Sequence, residues 1–118
     1  MKYQIFFIIV LFLSCFSNFS WAAETKDGVN HIELAAVMLK DGHHDRALLA
    51  LQSVDLGDKK TDLTRFYTLQ GLAYMGLNDL EAAKDSLQLA IKNGQKDPAI
   101  YIYLAQSYFG LKDYQKTI

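Results

Sequence analysis

The sequence predicts an all-α protein, an array of antiparallel helix pairs preceded by an apolar leader. Three observations predict it. Apolar residues recur at helical spacing along most of the chain, the single proline and most glycines fall between those runs, and one stretch repeats at a fixed offset.

The leader comes first. Lys2 supplies a short positive region, Ile5 to Leu13 is an unbroken apolar run, and Ser20-Trp21-Ala22 puts small residues at the places a signal peptidase requires. Residues 1–22 are therefore predicted to be a signal peptide cleaved after Ala22, with 23–27 a short linker. The protein is expected to be exported, to the periplasm or cell envelope, and to meet a membrane only through this segment. Two alternatives stay open. Tyr3 to Ala23 carries no charge, and about 20 apolar residues span a bilayer, although Ser14, Ser17, Asn18 and Ser20 make its second half polar for an anchor. Phe12-Leu13-Ser14-Cys15 resembles a bacterial lipoprotein signal, with Phe where Leu is usual and a bulky Leu before the Ser, so lipidation of Cys15 is the other.

Without the leader, 11 basic residues face 13 acidic ones, a formal charge of −2. Lys and Arg are scattered among acids. A nucleic-acid binder clusters them, because phosphate neutralisation supplies most of its affinity, and an anionic membrane surface makes the same demand. With Cys15 removed, no disulfide or thiolate chemistry remains. Stability must come from helix packing, and 96 residues suit one domain.

Six helices are expected in order. Ile32, Leu34, Ala35, Met38 and Leu39 mark the first, over 28–41, and a second follows over 44–54. Phe66, Leu69, Ala73 and Leu77 mark the third, over 62–76. Asn78 with Glu81 three residues on reads as a capping pair for the fourth, over 79–93, which Asn93-Gly94 closes in a left-handed conformation. Asp97 and Pro98 read as N-cap and first helical residue of the fifth, over 97–110, whose apolar face is Ile100, Leu104, Tyr108 and Leu111. A sixth is expected to begin near 113.

These helices are not independent. Ala73-Tyr74-Met75-Gly76-Leu77-Asn78-Asp79-Leu80 aligns without a gap over Ser107-Tyr108-Phe109-Gly110-Leu111-Lys112-Asp113-Tyr114, an offset of 34 residues. In the unit starting at Thr64, Tyr67, Gly71, Tyr74, Ala83, Leu87 and Ala90 stand at the signature places of a 34-residue helix-turn-helix repeat; in the unit starting at Pro98, Tyr101, Leu104, Ala105 and Tyr108 do so. A first unit from Gly28 offers Leu34, Ala35, Met38, Ala47, Leu51 and Val54, with two extra residues in the Asp55 to Thr61 connection. With this pattern the chain resembles the tetratricopeptide repeat (TPR) family, in units of about 28–63, 64–97 and an incomplete 98–118. The resemblance implies a right-handed superhelical array. Gln70 in place of Leu, Gln95 where a closing Pro is common, and Thr117 in place of a small Ala depart from the pattern without breaking a helix.

No enzyme is expected on this scaffold, and no cofactor. Asp41, His43, His44 and Asp45 could be written as a metal cluster, but adjacent histidines at a helix start diverge, whereas zinc ligands converge at about 2.0–2.3 Å from spaced pairs. Asp79, Glu81 and Asp85 lie at a helix start or on a solvated face, where acids are ordinary, and no phosphate-cradling loop follows a strand. Gly76 and Gly110 read as helix terminators.

What the resemblance implies is protein binding. In this family the first helix of each unit lines a concave groove, through its second, fifth, ninth and twelfth positions. Here those are Val29, Ile32, Ala36 and Leu39; Arg65, Thr68, Leu72 and Met75; and Ala99, Ile102, Gln106 and Phe109. The set is mostly apolar. It lacks the Lys, Asn and Arg with which some members clamp a terminal carboxylate, so an apolar or amphipathic polypeptide segment is the expected ligand. The leading expectation is an adaptor or scaffold for cell-envelope protein complexes. The alternatives are the N-terminal binding module of a longer protein whose enzymatic or other specific function lies beyond residue 118, and a membrane-tethered assembly factor. The chain stops about one turn into its sixth helix, although arrays usually end in a polar-faced cap. The sequence is therefore expected to be the front of a longer protein; otherwise a partner or a second copy must cover the open end.

Overall fold

A computed structural model describes residues 29–111 of the chain. The expected signal peptide and linker, the expected start of the first unit at Gly28, Thr117 and the helix expected near 113 lie outside the described residues. Those described form five α-helices and no strand: α1 (His31–Lys40), α2 (His44–Gln52), α3 (Leu63–Gly76), α4 (Leu80–Lys92) and α5 (Pro98–Gly110).

Each helix begins where a short polar side chain can take up the unpaired amides of the first turn. Asn30 accepts from Ile32 and Glu33, Asp62 from Arg65, Asp79 from Ala82 and Asp97 from Ala99. α1 therefore starts at His31, set by Asn30. α2 is the exception, since His43 makes no side-chain capping bond. It also ends at Gln52, two residues before the expected boundary, as Ser53 and Val54 turn back to bond Ala50 and Leu51.

Three helices close with one motif. After α1, α3 and α4 a residue in left-handed conformation follows the C-cap: Gly42 (φ 81°), Asn78 (φ 59°) and Gly94 (φ 108°). Its amide bonds the carbonyl three residues back, and the next amide reaches five back: His43 to Met38, Asp79 to Tyr74, Gln95 to Ala90. This corrects the expected capping pair. Asn78 ends α3, and Asp79 is the residue that caps α4. Asn is among the few residues other than glycine that tolerate positive φ. At Gly42 and Asn78 the next residue, His43 or Asp79, is already the cap of the following helix, so both turns reverse the chain in three residues.

Each helix packs against its neighbours in sequence, and α1 also meets α3, as α3 meets α5. α2 and α4 do not touch. The result is a contiguous row of α1, α3 and α5, with α2 resting on the first two and α4 on the last two. Ile32, Ala35, Ala47, Ala50, Leu51, Phe66 and Ala73 form a core cluster between α1, α2 and α3, flanked by half-buried Leu34, Met38, Leu39 and Tyr67. Farther along, Ala83, Leu87, Ala90 and Ile100 are buried between α3, α4 and α5. The alanines let the axes approach while one large side chain fills the space left. At Gly71 the fit is close: a Cβ there would lie 2.6 Å from Cδ2 of fully buried Leu87.

Two departures from the repeat pattern are compensated in three dimensions. Gln70 accepts a hydrogen bond from buried Ser86 at 3.0 Å, so a polar pair joins α3 to α4 where two apolar groups would serve. Gln95 organises the α4–α5 turn. Its side-chain oxygen accepts from the amides of Lys96 and Asp97, and its Nε2 donates to Thr68 on α3 at 2.9 Å.

Candidate functional site: the row of first helices

The α1–α3–α5 row carries the twelve positions expected to face a ligand, and they differ in what they offer. On α3, Leu72 and Met75 are half-buried. On α5, Ala99, Ile102, Gln106 and Phe109 are exposed, Ile102 at 58% and Phe109 at 64%. Val29, just before α1, is exposed too. Ala36 and Leu39 are half-buried, and Leu39 packs against the core. Ile32 is a member of the buried cluster with Phe66 and presents little surface to anything outside.

Of the three polar side chains among the twelve positions, Arg65 and Thr68 are engaged within the protein, and Gln106 is exposed. Arg65 Nη2 lies 3.0 Å from both carboxylate oxygens of Glu33, tying α3 to α1. Both side chains are about half exposed, so the pair contributes about 0–1 kcal/mol; its larger effect is to neutralise the cation among the twelve positions. Sequence inspection missed Glu33, which sits 32 residues away. Thr68 donates to the carbonyl of Thr64 and accepts from Gln95. Between α3 and α5, the hydroxyl of fully buried Ser107 lies 3.0 Å from Met75 Sδ. What the row leaves outward is therefore largely apolar: parts of Leu72 and Met75, then Ile102.

A half-open cavity of about 480 Å³ lies at the α1 end of the row and takes in three of the twelve positions, Val29, Ile32 and Arg65, beside Val54, Lys60 and Asp62. Its aspartates hold the local backbone, since Asp55 accepts from Gly57, Asp58 from Lys60 and Asp62 from Arg65, while Glu33 in the same lining pairs with the Arg65 side chain. These three aspartates are turn and cap residues in this arrangement.

The histidines at the α1–α2 turn separate. His43 is exposed, while His44 packs its ring against Gly76 on α3 and leaves Nδ1 buried without a hydrogen-bond partner. Among the described residues no group of three His, Cys, Asp or Glu side chains could hold a metal ion, and no helix is long and apolar enough to cross a membrane.

The class these features define is an all-helical protein of stacked helix pairs. No protein-family model, curated protein or solved structure matches the chain.

Proposed function

We propose that the chain is a TPR-type array that serves as a protein-interaction adaptor or scaffold of the cell envelope, binding a partner polypeptide along the face formed by α1, α3 and α5. The observation that carries this is the unbroken row itself. First helices of successive pairs lie side by side, Arg65 and Thr68 are engaged within the protein, and the apolar side chains of Leu72, Met75 and Ile102 retain surface. An apolar strip of this kind suits an amphipathic helix or extended segment whose apolar side chains anchor it. The same engagement of Arg65 by Glu33 argues against a ligand held by its charge.

The turns support the repeat. Pairs α1–α2 and α3–α4 close with the same bonds at Gly42 and Asn78, 36 residues apart, which is the 34-residue period plus the two extra residues of the Asp55 to Thr61 connection. Export to the periplasm or envelope rests on the leader in residues 1–22. The row offers a ligand shape and apolar contact, and no set of groups aimed at a reacting atom, which favours binding over catalysis.

The test is Leu72→Glu with Met75→Glu in a partner-binding assay, run beside Ile102→Glu. Both variants should abolish binding with helical circular dichroism retained. Because Ile102 is exposed, its substitution does not disturb the core. Unchanged binding by both variants would remove this face as the site.

A further inference from the structure

We draw no further inference here: the strongest candidate, the exposed apolar surface of α5 at Tyr101 and Tyr103 to either side of Ile102, carries none because nothing in the structure shows what covers it.

Discussion

The His44 ring on α2 occupies the space above Gly76, the last residue of α3: a Cβ at Gly76 would lie 2.3 Å from its Nδ1 and Cε1. The next pair repeats the arrangement. Leu80, first residue of α4, lies over Gly110, last residue of α5, with its Cδ1 2.3 Å from where a Cβ would be. Neither glycine has positive φ, so what each supplies is the absence of a side chain where two helices meet.

Gly76→Ala therefore has a sign that depends on residue 44. Alanine favours a helix by about 1 kcal/mol over glycine, but overpacking costs about 1–3 kcal/mol when the neighbour cannot yield. The His44 ring would be struck along its edge, at Cε1 and Nδ1 at 2.3 Å and at Cγ at 2.5 Å, so the whole ring must move. Gly76→Ala should lower stability in the native background and raise it by up to about 1 kcal/mol in a His44→Ala background, as read by urea unfolding of the four proteins. Gly110→Ala should be milder, because only the tip of the Leu80 side chain is in the way.

Gln70 and Ser86 form a second coupled pair. Ser86→Ala strips the half-buried Gln70 oxygen of its donor and should cost about 1–2 kcal/mol. Adding Gln70→Leu should recover that loss, giving a coupling of about 1 kcal/mol in a double-mutant cycle. Strict additivity of the two substitutions would contradict the pairing.

Gln95 holds the α4–α5 turn through three side-chain hydrogen bonds, so Gln95→Ala should destabilise by about 1–2 kcal/mol and speed hydrogen exchange at the Lys96 and Asp97 amides. Gln95→Pro introduces the residue common at this place in the family the sequence resembles but also removes the amide that bonds Ala90. It should therefore be no better than Ala, a comparison thermal unfolding makes directly.

Lys84 gives a pH prediction. Its hydrogen bond to Glu81 at 2.6 Å raises its pKa above the ordinary 10.5 despite the opposing effect of burial, with the charges of Glu81 and Asp85 adding to the rise. A folded-state pKa raised above the unfolded one stabilises the fold below the unfolded value, and that contribution is lost as pH rises through the folded one. Stability should thus fall above pH 10.5, and Lys84→Gln should flatten that fall; identical alkaline limbs in chemical denaturation would contradict it.

Much of the helical layout is legible in the sequence because its causes are local. Asp97-Pro98 and Asn93-Gly94 do what their chemistry dictates within two or three residues. Asn78 shows where local rules compete: its spacing to Glu81 imitates a capping pair, yet the adjacent Asp79 is the better-placed cap and Asn78 is free to take positive φ. The glycines at 76 and 110 look like terminators in one dimension; their partners His44 and Leu80 lie 30 or more residues away. Of the candidate site, the register places Ile102 and Phe109 on exposed surface but cannot show that Ile32 is drawn into the core beside Phe66. Nor does any local signal pair Arg65 with Glu33, which depends on how successive helix pairs stack, or Gln95 with Thr68, which depends on how the α4–α5 turn folds back on α3.

The most direct test of the account is photo-crosslinking in the producing cell, with a benzophenone amino acid placed at residue 102 and, separately, at residue 49. Ile102 and Leu49 are similarly exposed, at 58% and 61%, but Leu49 belongs to α2, outside the α1–α3–α5 row. The account predicts a discrete adduct with another polypeptide from position 102, absent from position 49 and lost when Leu72→Glu and Met75→Glu are added. No adduct at 102, or equal adducts from both positions, would contradict it.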